Sequence, residues 1–331
     1  SPEEEDELQG LLKQASANHI PYVRFKEGWV RVPSASMVEE LDQPDTVSTR
    51  RGTLVVEENL DSTGFAARDM GHGYLSQVPD RPPNLAPEFE LMPHQKLGFA
   101  WLAGHALVDE QASDHGMLAD DMGLGKTLQV LSLLSLLKSR DELGPTLIVA
   151  PASLTANWVA EADRFFPGQF NRRIVAGGGV RLKAEQLRTF DLVLTSYESL
   201  RSQQLEFGRV RWKMMVCDES HRFRNPTAQT THVIYAMDAE RRLALTGTPI
   251  QNSLRDLWAQ FDWLVPNFLG DLRSFTERYQ GTAVRKDPEE RKHRITGLRS
   301  QIESRVLRRL KEQEIADVLP KKNVPEIRLT L

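Results

Sequence analysis

A glycine-rich loop, residues 120–127, lies between an apolar stretch and a stretch that favours a helix. The apolar stretch Gly116–Ala119 predicts a short buried strand, and the leucine-rich stretch Lys126–Leu137 predicts a helix. A strand that enters a helix through a tight glycine loop makes an anion site, because the loop N–H groups and the helix dipole point at the same place. We call residues 120–127 the phosphate loop, since they predict a phosphate site.

The first two residues of the predicted helix carry the groups that such a site needs. Lys126 can place a positive charge between the β- and γ-phosphates of a nucleotide, and the hydroxyl of Thr127 can ligate Mg²⁺. The strict phosphate-loop pattern has glycine six residues before the lysine, where this chain has Asp120. From this segment alone, an ordinary turn before a core helix therefore stays an alternative to a phosphate site.

A second segment, about ninety residues further along the chain, favours the nucleotide interpretation. The apolar stretch Met214–Cys217 predicts a buried strand that ends in two carboxylates, Asp218 and Glu219. A strand end of this kind can present Asp218 to the shell of a Mg²⁺ ion and Glu219 to an attacking water. Two such segments in this order and spacing rarely arise by chance.

Composition limits the class of protein. The chain has 331 residues, enough for two domains or for one large α/β domain with an appendage. Its net charge of −4 means that any nucleic-acid surface must be local. Cys217 is the single cysteine, which excludes an internal disulfide and is most simply a core residue. No apolar run approaches the roughly 18 residues of a membrane helix, so we expect no membrane partner.

The pattern of apolar and polar residues changes near residue 78. Before it, Ile20–Phe25 and Gly28–Val32 alternate apolar and polar residues and predict a hairpin within a small accessory α+β module, residues 1–77. Residues 78–87 hold four prolines and predict a stiff linker. In residues 88–331, apolar strands alternate with amphipathic helices, which predicts an α/β domain with a mostly parallel sheet covered by helices on both faces. The predicted strands are Gly116–Ala119, Thr146–Ala150, Arg173–Ala176, Leu192–Thr195, Met214–Asp218 and Leu243–Thr246.

Polar residues follow several of these strands. Ligands bind at the carboxyl edge of an open α/β sheet, so hydroxyls there can hold a phosphodiester backbone without reading its sequence. Each polar segment could equally be a plain turn. The candidates for nucleic-acid contact are Ser153, Thr195, Ser196, Arg222 and Arg224.

Residues 87–331 resemble the first RecA-like lobe of the Swi2/Snf2 ATPases of helicase superfamily 2. Gln95, in the segment Leu91–Gln95, is similar to the glutamine that reads adenine in that family, although it could merely cap a helix. The phosphate loop resembles motif I, in which an aspartate at the position of Asp120 is usual. The other matching segments are Leu147–Trp158, Leu194–Ser199, Asp218–His221, Leu243–Leu254, Leu307–Lys311 and Leu319–Lys322.

The resemblance implies a site for ATP and Mg²⁺. The residues that it assigns to nucleotide binding are His94, Gln95, Asp120, Asp121, Met122, Gly123, Leu124, Gly125, Lys126 and Thr127. Those that it assigns to catalysis are Lys126, Asp218 and Glu219, with Thr127 and Asp218 as metal ligands and His221, Thr246 and Thr248 as coupling residues. One departure from the family is Ser220, which replaces the usual alanine or glycine. It is small, so we expect little effect.

The resemblance further implies an ATPase that translocates on double-stranded DNA and remodels protein–DNA complexes, through backbone contacts and without sequence preference. The family's second lobe, which supplies arginine fingers, is not among these 331 residues, so we expect the chain alone to bind nucleotide weakly and hydrolyse it slowly. The loop variant and the lack of insertions resemble bacterial members, which implies a cytoplasmic protein at the nucleoid. A second hypothesis is an ATP-regulated docking module in which residues 1–86 recruit a partner. The family resemblance argues against strand separation and leaves the cellular pathway open.

A basic stretch near the end of the sequence has two interpretations. From Arg285 to Lys311 there are ten Lys or Arg residues against four Asp or Glu. The apolar residues Ile295, Leu298, Ile302 and Val306 fall at helical spacing, which predicts an amphipathic helix. Its charges could form a solvated face or contact phosphates.

Overall fold

The computed structural model describes residues 78–107, 115–175, 181–225, 228–250, 253–281 and 287–314, together with two strands near the N-terminus. These strands, β1 (Tyr22–Phe25) and β2 (Gly28–Arg31), pair antiparallel with Phe25 opposite Gly28, which confirms the predicted hairpin. The rest of the predicted accessory module lies outside the described residues.

Among the described residues, seven strands form one parallel sheet. They are β3 (His115–Leu118), β4 (Thr146–Ala150), β5 (Arg172–Val175), β6 (Leu192–Ser196), β7 (Trp212–Asp218), β8 (Ala239–Leu245) and β9 (Val306–Leu307). Their order across the sheet is β5-β6-β4-β7-β8-β3-β9, and every neighbouring pair is parallel. This confirms the predicted α/β class. β8 begins four residues before the prediction, because charged residues in Ala239–Arg242 hide its apolar pattern.

Helices cover both faces of the sheet. They are α1 (Pro93–Leu107), α2 (Lys126–Ser139), α3 (Ala152–Phe165), α4 (Ala184–Leu187), α5 (Tyr197–Ser202), α6 (Gln204–Gly208), α7 (Gln229–Tyr235), α8 (Leu254–Leu264), α9 (Leu272–Gln280), α10 (Pro288–Ile302) and α11 (Lys311–Glu314). Alternate residues of β4 enter two separate cores. Leu147 and Val149 pack with α5, α8 and α9, whereas Ile148 and Ala150 pack with α1, α2 and α3.

The helix after the phosphate loop is buried on all sides. Every residue of α2 from Leu128 to Leu137 is buried, and α1 packs directly against it. A helix that is apolar all round belongs inside a protein, which explains the leucine run. The N-terminus of α2, and with it the phosphate loop, is therefore held by the core.

The predicted amphipathic helix near the end of the chain is α10, with Leu298 and Ile302 buried in the core. Asp287 caps it, since Oδ1 accepts from the backbone N–H groups of Glu289 and Glu290 at 3.0 and 3.1 Å. The prediction also assigned Val306 to this helix, but Val306 lies in β9 instead. A 3₁₀ turn, Glu303–Arg305, redirects the chain so that β9 can pair with β3.

Two simpler predictions concern the core and the membrane. Cys217 is fully buried in β7, as expected of a core residue, and burial raises the pKa of its thiol. Within the described residues, every helix is too short or too polar to span a bilayer.

His115, at the start of β3, gives a testable pH dependence. Its Nδ1 accepts a hydrogen bond from the backbone N–H of Arg242 at 3.0 Å. Burial, reinforced by the charge of Arg242, lowers the pKa of the imidazole from 6.5 to about 4. The unfolded chain therefore takes up this proton at a higher pH than the folded chain, and the free energy of unfolding should fall as pH drops from 6.5 towards 4.

We expect acidification from about pH 7.5 to about pH 5 to remove roughly 2 kcal/mol through His115. His115→Asn keeps an acceptor near the Nδ1 position but cannot be protonated, so the variant should lose less stability over the same range. Urea unfolding of both proteins at the two pH values measures the difference. An equal loss in both would show that other groups carry the acid sensitivity.

Candidate active site

Three turns meet at the carboxyl edge of the sheet, after the neighbouring strands β3, β8 and β7. They are the phosphate loop, the threonine turn (Thr246–Thr248) and the acidic turn (Asp218–His221). The backbone N–H of Thr246 donates to the carbonyl of Leu118 at 3.2 Å, and a Cβ on Gly247 would lie 3.1 Å from Met122 Cγ. The fold thus brings the phosphate loop together with two turns that lie about ninety residues or more further along the sequence.

Two glycines shape the phosphate loop. Gly123 and Gly125 have φ angles of 89° and 78°, a region that favours glycine. Lys126 Nζ donates to the carbonyl oxygens of Asp120 at 2.6 Å and Asp121 at 3.3 Å. Burial lowers the pKa of Lys126, against the opposing effect of Glu219 and other nearby carboxylates. Since these hydrogen-bond partners are neutral carbonyls, an arriving phosphate can replace them and gain a charged hydrogen bond.

His94 and Gln95, at the start of α1, support this loop from one side. His94 is buried, its Nε2 lies 3.2 Å from the carbonyl oxygen of Leu124, and burial lowers the pKa of its imidazole. Gln95 Oε1 accepts from the backbone N–H of Met92 at 3.0 Å and so caps α1. A Cβ on Gly125 would lie 2.5 Å from Gln95 Nε2. Gln95 therefore has a capping role as well as a place beside the loop, and adenine recognition by its amide stays a prediction.

Asp218, the first carboxylate of the acidic turn, is fixed by three neighbours. Its Oδ2 accepts from Trp158 Nε1 at 2.8 Å and its Oδ1 accepts from the backbone N–H of Glu219 at 2.9 Å. The hydroxyl of Tyr197 donates to the carbonyl of Asp218 at 2.7 Å. Burial raises the pKa of the Asp218 carboxyl, although Trp158 opposes this. Trp158 is a functional contact that the sequence argument missed, because an aromatic residue in an amphipathic helix has no distinguishing signal.

Glu219 has an uncommon backbone and a side chain that contacts His221. Its φ of 51° is left-handed, which costs a non-glycine residue about 1–3 kcal/mol and is typical of functional sites. Its Oε2 lies 3.2 Å from His221 Nδ1, and the imidazole lowers the pKa of the Glu219 carboxyl against the effect of burial. Both atoms are buried, and neither has a hydrogen-bond partner other than this close contact among the described residues.

Buried polar atoms normally have hydrogen-bond partners, which a bound ligand or a water can supply at this site. Glu219 Oε2 and His221 Nδ1 face each other beside the phosphate loop, where they suit a polar ligand and a water. Together with Lys126, Thr127 and Asp218, this donor set fits a magnesium–nucleotide. Among the described residues, no group of three or more His, Cys, Asp or Glu side chains could hold a metal ion.

Ser220 makes a bridge that alanine or glycine could not make. Its hydroxyl donates to Gln260 Oε1 at 2.6 Å, and Gln260 Nε2 donates to the carbonyl of Pro249 at 2.8 Å. Pro249 follows the threonine turn, in which the backbone N–H of Thr248 donates to Thr246 Oγ1 at 3.0 Å. The acidic turn and the threonine turn are therefore joined through one buried amide.

The structure corrects two predicted nucleic-acid contacts. Thr195 and Ser196 are buried, and Ser196 Oγ accepts from the backbone N–H of Ser199 at 3.0 Å to cap α5. Their hydroxyls stabilise the protein rather than line its surface. The other three candidates do reach the surface: Ser153 and Arg222 are exposed and Arg224 is half-buried.

The carboxylates of Asp120 and Asp121 point away from the centre of the phosphate loop. Asp120 is fully buried and forms an ion pair with Arg309, while Asp121 Oδ2 accepts from the backbone N–H of Lys311 at 3.0 Å. A nucleotide would therefore meet the backbone of these two residues and not their side chains. The sequence placed Arg309 in a basic stretch and gave no sign that it is buried.

Comparison with known proteins decides the family. Residues 94–331 match the model of the SNF2-related domain. The chain belongs to the SNF2-related family. This confirms the resemblance to the Swi2/Snf2 ATPases, and a solved structure extends it to the fold. The Sulfolobus solfataricus SWI2/SNF2 ATPase core in complex with dsDNA aligns with a TM-score of 0.62 and 32% identity, over 72% of this chain and 48% of that one.

Two relatives of this SNF2-related chain come from a bacterium and from a yeast. It is 34% identical to the Zorya protein ZorD of Escherichia coli O139:H28, over 96% of this chain and 33% of that protein. It is 31% identical to the ISWI chromatin-remodeling complex ATPase ISW1 of Saccharomyces cerevisiae, over 71% of this chain and 21% of that protein. The chain thus spans about a third of ZorD and about a fifth of ISW1. The bacterial relative agrees with the predicted likeness to bacterial members.

Proposed function

We propose that this chain is the ATP-binding lobe of a DNA-dependent ATPase that moves along double-stranded DNA and remodels protein–DNA complexes. The observation that supports the proposal most is the close contact of two buried atoms, Glu219 Oε2 and His221 Nδ1, beside a phosphate loop that carries Lys126. A docking module regulated only by nucleotide binding would not need a strained glutamate poised for a water. The geometry therefore favours a motor over the docking hypothesis.

Each residue of the site has a proposed role. Lys126 exchanges its loop carbonyls for phosphate oxygens and neutralises charge that develops during transfer. Thr127 and Asp218 would hold Mg²⁺, which supplies Lewis-acid stabilisation of the phosphates. Glu219, kept ionised by its lowered pKa, orients the attacking water and accepts its proton. His94 and Gln95 would border the adenine.

The proposal includes a second RecA-like lobe. Arginine fingers are worth about 10³–10⁵ in rate, and the proposal places them on this second lobe. The chain alone should therefore hydrolyse ATP slowly. Nucleotide would close the two lobes on DNA, and His221, Thr246 and Thr248 would transmit the nucleotide state to the DNA edge. Action on bacterial DNA implies a place at the nucleoid, and a partner of residues 1–86 stays a prediction.

The DNA surface can be tested on the 331-residue chain. We expect weak binding to duplex DNA, micromolar or weaker at physiological salt, without sequence preference and with steep salt dependence. Arg222 is exposed and lies 3.7 Å from Glu198, so Arg222→Ala should weaken binding to all duplexes and lower the salt slope by about one. Arg211→Ala is the matched control, because Arg211 is also exposed and paired with a glutamate but lies at the opposite end of β7.

Fluorescence anisotropy with two unrelated duplexes at several salt concentrations gives the binding affinity and its salt slope. Binding to one duplex only, or an equal effect of the two arginine variants, would contradict the proposed surface. In the protein that carries both lobes, duplex DNA should also raise the rate of ATP hydrolysis. A rate indifferent to DNA would favour the docking hypothesis.

A further inference from the structure

Two consecutive arginines after β9 are buried, with Arg308 3% and Arg309 6% exposed. Buried arginines are rare because the charge must be fully compensated. The backbone continues the pairing of β9 with β3 past the end of the strands. The N–H of Ala119 donates to the carbonyl of Leu307 at 2.7 Å, and the N–H of Asp121 donates to the carbonyl of Arg309 at 3.0 Å. We call residues 306–311 the arginine clasp.

Arg309 joins three elements around the phosphate loop. Its Nε donates to Asp120 Oδ1 at 2.9 Å while Nη2 donates to Oδ2, the two-pronged geometry that only arginine provides. Nη2 also donates to Gln129 Oε1 of α2 at 2.8 Å, and Nη1 donates to the carbonyl of His94 at the start of α1. A Cβ on Gly98 would lie 1.7 Å from Gln129 Oε1 and 2.7 Å from Arg309 Nη2, so this cluster needs a glycine there.

Arg308 joins the phosphate loop to the threonine turn. Its Nη1 donates to the carbonyl of Ala119 at 2.8 Å and to the carbonyl of Gly247 at 3.1 Å. Its Nη2 lies 3.6 Å from Asp121 Oδ1, and the backbone N–H of Lys311 donates to the other oxygen of that carboxylate. The clasp therefore contacts Ala119, Asp120 and Asp121 at the start of the phosphate loop, and Gly247 in the threonine turn beside it.

We propose that Arg308 and Arg309 are positioning residues of the nucleotide site, which hold the phosphate loop in the conformation that binds ATP. The proposal rests on the proposed function and explains why the loop begins with Asp120, since glycine at that position could not bind Arg309. The contacts of Arg309 given above are all with protein groups, so it acts through the loop.

The test uses variants that keep the charge. Arg309→Lys retains a cation but loses the fork, and Arg308→Lys puts a single ammonium in place of the two nitrogens that reach Ala119, Gly247 and Asp121. Arg294→Lys is the control, because Arg294 lies in an ion pair with Glu290 on α10, away from the loop. Titration with a fluorescent ATP analogue should show about tenfold weaker binding for each clasp variant and no change for the control.

Two further measurements separate positioning from a general loss of stability. Thermal unfolding without nucleotide identifies temperatures at which each variant is folded, and affinity is compared there. In the protein that carries both lobes, the clasp variants should raise KM for ATP more than they lower kcat. If Arg309→Lys does not fold, Arg308→Lys and Asp120→Asn carry the test. Unchanged affinity in folded clasp variants overturns the proposal.

The failure of this inference can be told apart from a failure of the proposed function. If Lys126→Ala binds and hydrolyses ATP like the wild type, the nucleotide site itself is assigned wrongly. If Lys126→Ala is inactive and the folded clasp variants bind ATP normally, the nucleotide site stands and only the role of the clasp is wrong.

Discussion

Replacing Lys126 by alanine should reduce ATP hydrolysis in the protein that carries both lobes to below about a hundredth of the wild-type rate. Among the described residues, the Lys126 ammonium donates to two backbone carbonyls of its own loop, at 2.6 and 3.3 Å, and to no carboxylate. Its charge therefore has no carboxylate partner at hydrogen-bond distance, and we assign it to phosphate. Removing a charge contact that strengthens in the transition state usually costs a hundredfold or more.

The variant should stay folded, because alanine is a good helix former and the leucines of α2 are untouched. Lys138→Ala is the matched control, since Lys138 lies in the last turn of the same helix and pairs with Asp191. Steady-state ATP hydrolysis and circular dichroism of both variants provide the comparison. Residual turnover above about a tenth of the wild type would count against the assignment of Lys126.

Glu219→Gln should block hydrolysis and leave ATP binding intact. The amide keeps the shape of the side chain but cannot accept a proton from water, and loss of a general base typically costs 10²–10⁴-fold. The left-handed backbone is the same for both residues, so the strain in the turn does not change. Binding of a fluorescent ATP analogue and single-turnover hydrolysis measure the two effects separately.

Glu240→Gln is a suitable control, because Glu240 is an ionised, half-buried glutamate paired with Lys213 at the other edge of the sheet. Glu240→Gln should change neither the affinity for the ATP analogue nor the rate of ATP hydrolysis. If the affinity of Glu219→Gln for nucleotide collapses together with turnover, Glu219 is a binding or folding residue. The proposed water-activating role would then be wrong.

Local sequence patterns were sufficient for most of the sheet, and they also predicted the candidate site residues that lie at strand ends. Gly123, Gly125 and Lys126 are recognisable because a phosphate loop needs particular backbone angles and one cation at fixed spacing. Asp218 and Glu219 are recognisable because two carboxylates rarely end an apolar strand without a use. These inferences depend on neighbours in sequence, which is why they could be made without a structure.

The remaining features depend on contacts that no local pattern carries. Arg309 and Asp120 are separated by 189 residues, so the basic stretch gave no sign that one of its charges is buried. Thr195 and Ser196 were correctly placed at the sheet edge, but the α5 cap turns a hydroxyl inward, and capping depends on where a helix begins. The bridge from Ser220 to Pro249 likewise requires an amide from α8.

The position of β9 in the chain has a consequence for synthesis on the ribosome. Its partner β3 and the phosphate loop leave the exit tunnel early, whereas Val306 and Leu307 are made nearly two hundred residues later. At about 5–20 residues per second, the loop waits on the order of ten seconds or more before its last strand arrives. During that interval the nascent chain lacks the segment proposed to position the loop, so a truncated product ending before Val306 should bind ATP more weakly than the longer chain.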